Sequence, residues 1–188
     1  MRWLWIDYAL WGVLALTWVA AAPFARRTVR REPFGSRARF LVPVVVLCIL
    51  LDGNLVSVPA LDARWIPAEA WIGALSVVLT AIGIGFALWS RFALGRNWSG
   101  TVTLKEDHEL VQRGPYAITR HPIYSGAMLA AVGTVLALGT LRALIVIPVL
   151  IIVLRLKMNV EERFMSEHFG GAYAAYRERV KGLIPFVW

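Results

Sequence analysis

Apolar residues fall in five long blocks along the chain, and the polar residues lie almost wholly between them. The blocks cover residues 6–24, 40–58, 68–89, 123–138 and 141–156. As helices rising ~1.5 Å per residue, the first three are long enough for a hydrocarbon core of ~30 Å. The last two are ~24 Å each and slightly short of it. Only Gly139 and Thr140 separate them, so they must fold back as a tight antiparallel hairpin. Gly126, Ala130 and Thr134 recur at every fourth residue, a surface for close helix contact. Pro148 is expected to kink the fifth block. The predicted class is all-α, a polytopic membrane protein with about five crossings and a helical C-terminal tail.

The polar intervals orient it. Pro23 ends the first block, and Arg26, Arg27, Arg30, Arg31, Arg37 and Arg39 follow before the second. That density of arginine places this loop in the cytoplasm and the N-terminus outside. The loop up to Glu69 carries Asp52, Asp62 and Glu69 against Arg64, as an external loop does; Arg91 and Arg96 return the chain to the inside. Residues 95–122 are too polar to cross and too interrupted by glycine and proline for one helix. Arg142 stands alone at the hairpin tip, consistent with the outer side. The tail from Arg155 onward is amphipathic, with Arg155, Asn159, Glu162 and Ser166 on one helical face and Glu161 pointing elsewhere beside Met158 and Met165. His168-Phe169-Gly170-Gly171 stops that helix, and a short one with Tyr173 and Tyr176 follows. The C-terminus is therefore cytoplasmic, in a bacterial or archaeal inner membrane or its equivalent.

Composition strengthens this picture. Hydrophobic residues make up 59% of the 188 and the mean hydropathy is +0.62, well beyond a soluble domain. The net charge of +8 would suggest nucleic acid in a soluble protein. Here the basic residues flank apolar blocks, so the partner is the lipid bilayer with its anionic headgroups, and no nucleic acid is expected. Nine tryptophans fit an interfacial belt, with Trp3, Trp5, Trp65, Trp71, Trp89 and Trp98 near block ends. The single cysteine, Cys48, cannot form an intrachain disulfide. No small-residue cleavage site leads from the first block into a soluble domain, so it is expected to be a retained helix.

Several local patterns carry no chemistry. Gly83 and Gly85 lack the third glycine, preceding strand and acidic partner of a dinucleotide loop, and serve helix packing instead. Asn97-Trp98-Ser99 is a glycosylation sequon on the wrong side. Asp52-Gly53-Asn54 is turn chemistry near the outer interface.

What remains is unusual. Residues 110–124, LVQRGPYAITRHPIY, place Tyr116, Arg120, His121, Pro122 and Tyr124 just ahead of the fourth block. Arg155, Asn159, Glu161 and Glu162 close the fifth. The hairpin makes these two ends neighbours, giving one cytoplasmic-side pocket with a guanidinium, an imidazole, phenols and carboxylates against apolar helices, the make-up of a small-molecule site. Taken singly, His121 is as well explained as a helix cap, Arg120 as an interfacial cation, and the two glutamates as a solvated face. Their convergence at one corner is what argues for a site.

The strings GPYAITRHPIYSG and EERFMSEHFGGAYAAYRERVKGLIPF resemble the isoprenylcysteine carboxyl methyltransferase and phospholipid methyltransferase superfamily, and GRNWSGTVTLKEDHELVQ is similar to its lead-in. The resemblance covers residues 95–186, about half the chain, in the family's order. It implies one membrane domain, with residues 1–92 as scaffold and 93–188 as the catalytic half. It implies S-adenosylmethionine bound by Leu110, Val111, Gly114, Tyr116, His121, Pro122, Tyr124, Glu161 and Glu162, with Arg120 and Glu162 catalytic and Arg120, Arg155 and Asn159 facing the acceptor. Glutamates complement the cofactor's sulfonium and bind its ribose hydroxyls or ammonium, while Arg120 is suited to a bidentate grip on a carboxylate. Most of the rate would come from positioning nucleophile and methyl group in line.

A lipophilic acceptor is implied, foremost the carboxylate of an isoprenylcysteine; a phospholipid amine or a small thiol is the alternative. A carboxylate needs no base, whereas an amine or thiol needs one, for which Glu162 or His121 is the candidate. A membrane reductase of the steroid-reductase type, using a nicotinamide cofactor, shares the C-terminal plan but not the paired glutamates before HFG..Y..Y. A transporter or metal-handling protein would need ionisable residues at mid-membrane, where Asp52 is the sole candidate and lies near an end. No metal is expected, and the sequence sets no oligomeric state.

Overall fold

The computed structural model describes residues 2–24, 28–31, 35, 42–43, 45–46, 58–98, 103–105, 109–185 and 187. The second apolar block and Asp52 lie outside these, apart from the few residues named. Helices dominate: α1 (Arg2–Ala21), α2 (Pro59–Asp62), α3 (Ala70–Leu94), α4 (Pro122–Leu138), α5 (Leu141–Leu144), α6 (Val146–Phe169) and α7 (Gly171–Arg179). A short antiparallel ribbon, β1 (Thr28–Arg31) with β2 (Thr103–Lys105), joins the first basic loop to the polar linker. Among the described residues, three stretches are long and apolar enough to cross a membrane: Arg2–Phe24, Ala70–Asn97 and Leu141–Phe169. Helix α4, at 17 residues, spans about 25 Å.

Helices α3 and α4 lie closest together, and small residues make that possible. A Cβ on Gly83 would meet the backbone of Gly126 and Ala130 at 2.5 Å, and one on Gly126 would meet Gly83 O at 2.5 Å and Ala87 N at 2.8 Å. Gly133 faces Ser76 and Thr80 in the same way. Thr134, expected on this surface, turns to α1 instead, where its hydroxyl accepts from Trp11 Nε1 at 3.0 Å. Gly85 faces open space. Leu14, Ile84, Ala87 and Ala130 form the buried junction of α1, α3 and α4. Gly126→Val is therefore expected to lower the melting temperature in detergent by the equivalent of about 2 kcal/mol or more, because backbone, not a flexible side chain, blocks the new methyls. Gly85→Val, with nothing within 4 Å, serves as its control and should melt like the parent.

The hairpin tip is more elaborate than its sequence suggests. Gly139 takes φ +62°, which lets α4 end in two residues. Arg64 donates to Leu138 O at 3.0 Å, Trp65 N to Gly139 O at 3.0 Å, and Leu141 N to Ala63 O at 3.0 Å. Arg142 is not alone: it is buried and pairs with Asp62 at 2.5 Å. The segment before α3 thus caps the tip.

Two further differences follow from local chemistry. The fifth block is interrupted at Ile145, where α5 gives way to α6, less than one turn before Pro148, whose missing N–H leaves the carbonyl four residues back without its helical donor. Beyond residue 156 the chain changes polarity but not conformation, so α6 runs on to Phe169 and stops where Gly170 takes φ +50°. From Val146 the apolar block and the amphipathic tail segment are one continuous helix.

An acid that the sequence reading did not weigh lies within the candidate span Arg2–Phe24. Asp7, 0% exposed, is buried between α1 and α3, where Ser76 Oγ donates to its Oδ2 at 3.4 Å. Asp7 is thus a further ionisable candidate beside Asp52, which lies outside the described residues; Asp7 sits close enough to the start of its helix to pass for an interfacial residue.

Candidate active site

The hairpin delivers the start of α4 to the lower part of α6. Ahead of α4, Gly114 at φ +60° opens a 3₁₀ turn, Gly114–Ala117, packed under Trp89 of α3. Pro122 occupies the first position of α4, where its missing N–H costs nothing, and leaves His121 just outside the helix. On α6, Glu161 and Glu162 are adjacent and point about 100° apart. His121 stands between them: Nδ1 lies 3.3 Å from Glu161 Oε2, and Nε2 lies 3.2 Å from Glu162 Oε1. Its ring stacks on Tyr124, centroids 5.5 Å apart and planes within 6°. Tyr124 Oη donates to Glu161 Oε1, and Lys157 Nζ lies 5.3 Å over the Tyr124 ring.

A neutral imidazole has one N–H, yet both ring nitrogens face carboxylates; only the imidazolium satisfies both. Burial alone would push the His121 pKa down, but the hydrogen bonds and charges of Glu161 and Glu162 hold it above its ordinary 6.5. The sign follows: the stabilisation is complete below about pH 6.5 and is lost as pH rises through the higher folded value. Melting temperature in detergent is therefore expected to fall from pH 6.5 to 9, and His121→Gln should flatten that slope while lowering stability at pH 6.5. An identical slope in the variant would assign the pH dependence to another group.

Four of the five guanidinium N–H groups of Arg120 are engaged within the protein. Nε and Nη2 donate to Glu162 Oε1 at 3.1 and 2.7 Å, and Nη1 donates to Val180 O at 2.5 Å and Arg177 O at 3.3 Å. The chain after α7 is stitched along the same corner. Arg120 N donates to Lys181 O at 2.8 Å, His121 N to Gly182 O at 3.0 Å, Thr119 Oγ1 to Gly182 O, and Ser125 Oγ to Leu183 O. Tyr176 Oη donates to Tyr116 O at 2.6 Å, tying α7 to the 3₁₀ turn. Burial pushes the Tyr176 phenol up to about 12 and lifts Tyr116 and Tyr173 above their usual values, so these phenols stay neutral donors at physiological pH.

The structure thus brings together Arg120, His121, Tyr124, Glu161 and Glu162. Pro122 and Tyr116 are buried in the same corner, while Leu110 and Val111 are half-buried on its approach. Arg155 and Asn159 lie exposed on α6, and Glu161 shares the inward side with Glu162 rather than pointing elsewhere. Sequence reasoning passed over Arg177, whose Nε lies 3.5 Å from Glu162 Oε2, and the backbone of residues 180–183. The helix stop at Gly170 breaks any periodic signal that would relate Arg177 to Glu162.

Comparison with known proteins gives a family and several relatives. The profile of the phospholipid methyltransferase family matches residues 71–172. Protein-S-isoprenylcysteine O-methyltransferase B of Arabidopsis thaliana is 29% identical over 137 residues, 71% of this chain and 67% of that protein. A probable protein-S-isoprenylcysteine O-methyltransferase of Oryza sativa is 28% identical over 172 residues, 90% of this chain and 87% of that protein. Protein-S-isoprenylcysteine O-methyltransferase of Saccharomyces cerevisiae is 38% identical over 119 residues, 62% of this chain and 48% of that protein.

Proposed function

The chain belongs to the phospholipid methyltransferase family, and from that membership we propose that it methylates the carboxylate of an isoprenylcysteine-like, membrane-embedded acceptor, with S-adenosylmethionine as donor. The carrying observation is the corner where His121 is bracketed by Glu161 and Glu162 while Arg120 and Tyr124 fix those two acids. This corner fits such a donor. The oxygens of Glu161 and Glu162 keep lone pairs beyond their internal partners that would accept from the donor's ammonium or ribose hydroxyls, and Tyr116, Pro122 and Tyr124 supply apolar surface beside them. When bound, the donor supplies a methyl group on a positively charged sulfur; an O–C bond forms as the C–S bond breaks, the electron pair stays on sulfur, and no proton moves.

The protein's own residues then position and exclude. Leu110, Val111, Gly114, Tyr116, His121, Pro122, Tyr124, Glu161 and Glu162 would line the donor site, and Arg120 would hold Glu162 in place for the reaction. A carboxylate acceptor agrees with what the acids are doing: each oxygen of Glu161 and Glu162 already faces a cation or a hydroxyl, so neither is poised as the base that an amine or thiol requires. The topology that goes with this is five crossings, N-terminus outside and C-terminus cytoplasmic, with residues 1–92 as scaffold and 93–188 as the catalytic half.

The test is transfer of labelled methyl from S-adenosylmethionine by the purified protein in nanodiscs. A farnesylated cysteine with a free carboxylate is expected to accept label, and a phospholipid amine or a small thiol is not. Label on the amine or thiol alone would move the activity to the other branch of the family. Binding of NADPH without S-adenosylmethionine would replace it with a reductase.

A further inference from the structure

Beside the His121 corner lies a cleft of about 450 Å³ whose lining includes Arg120, Ala174, Arg177, Glu178, Lys181 and Val187. Its charges are three cations against one acid. The natural choice for an incoming anion, Arg120, is taken: its Nε and Nη2 hold Glu162, and its Nη1 holds the carbonyls of Arg177 and Val180. Arg177 is different. Its side chain is half exposed and, among the described residues, meets Glu162 through Nε at 3.5 Å, which leaves the outer edge of its guanidinium toward the cleft. Lys181 contributes its backbone carbonyl to Arg120 N, which fixes an exposed lysine on the lining of the cleft.

We infer that this cleft is a carboxylate site, with Arg177 as the planar fork and Lys181 as the companion point charge. The inference rests on the methyltransferase function proposed above and assigns the ligand's anionic group to residues outside the His121 corner. A guanidinium edge matches a carboxylate in two parallel hydrogen bonds, and an ammonium adds charge without demanding geometry. Ala174 and Val187 provide apolar wall for the carbon skeleton that carries the group. Two ligands of the reaction bear a carboxylate, the acceptor and the amino-acid end of S-adenosylmethionine, and both chemistries fit these two side chains. If the acceptor is the source, methylation removes the charge the site grips, so the ester product is held less tightly than the acid.

Calorimetry on the full-length protein in detergent, comparing wild type with Arg177→Gln, Lys181→Gln and the double variant, separates the sources. The probes are a farnesylated cysteine with a free carboxylate, its methyl ester, S-adenosylmethionine and decarboxylated S-adenosylmethionine. The double variant is expected to lose about tenfold or more in affinity for one carboxylate-bearing probe while its uncharged or decarboxylated counterpart is unaffected. Loss confined to the farnesylated acid assigns the site to the acceptor; loss confined to S-adenosylmethionine assigns it to the donor. Arg177→Lys should recover part of the loss through charge without the fork. Equal affinities for all probes in wild type and double variant overturn the inference, as does a uniform loss across each charged and neutral pair. Wild-type protein that binds neither the farnesylated acid nor S-adenosylmethionine overturns the proposed function, and this site with it.

Discussion

Glu162→Gln is expected to reduce methyl transfer by about 100-fold or more and to weaken S-adenosylmethionine binding by about tenfold or more. Glu162 is the hub of the corner: Arg120 reaches its Oε1 through two nitrogens, His121 lies 3.2 Å from the same oxygen, and Arg177 approaches Oε2 at 3.5 Å. Its side chain is 15% exposed, that of Arg120 12%, and that of His121 7%. A neutral amide there leaves two poorly solvated cations sharing the charge of Glu161 alone. Removing one partner of a buried ion pair costs about 3–5 kcal/mol, so the effect should not stop at the cofactor. The segment 171–183, held to this corner through Arg120, should lose hydrogen-exchange protection. Glu161→Gln is the comparison. Glu161 is more exposed, at 25%, and among the described residues its hydrogen-bonding partners are His121 and Tyr124 rather than the tail, so the tail should stay protected even where turnover falls. Wild-type turnover in Glu162→Gln would remove the carboxylate pair from the chemistry.

How much of this was legible beforehand depends on which physical constraint wrote it. The long helices among the described residues could be read because a bilayer demands long apolar runs, and such runs are legible in a sequence. Their ends moved by only a few residues: the block at 68–89 became Ala70–Leu94, and the block at 123–138 became Pro122–Leu138. The meeting of His121 with Glu161 and Glu162 was also legible, because two residues between antiparallel helices leave the far ends nowhere else to go. The continuity of α6 was not. A change from apolar to charged residues looks like a change of element, but backbone conformation has no reason to change until Gly170. Nor were the partners of Arg120 legible. They are mostly carbonyls of residues 177–181, and a backbone pairing leaves no side-chain pattern to read. Arg142 reads as an isolated charge and Asp7 passes unweighed, because their partners Asp62 and Ser76 come from other segments.

Arg120→Lys is expected to lower kcat by about 10- to 100-fold while leaving KM for the acceptor nearly unchanged. Arginine at this position links three things with one planar group: the Glu162 carboxylate, the Arg177 carbonyl and the Val180 carbonyl. An ammonium can replace one of those links as a point charge but cannot span all three directions at once. Glu162 would keep a cation and lose the fork that fixes its orientation. The chain after α7 would keep its backbone bonds from Arg120 N and His121 N to Lys181 and Gly182, but lose the side-chain clamp above them. The variant should therefore fold, melt a few degrees lower, and be cut faster by protease within residues 177–183. The division between kcat and KM is the informative part. Were Arg120 the group that grips the acceptor's carboxylate, lysine would weaken that grip directly and KM would rise. In the geometry here its donors are already committed to Glu162 and the tail, so the loss should fall on alignment, and a KM raised in proportion to the lost rate would refute that placement.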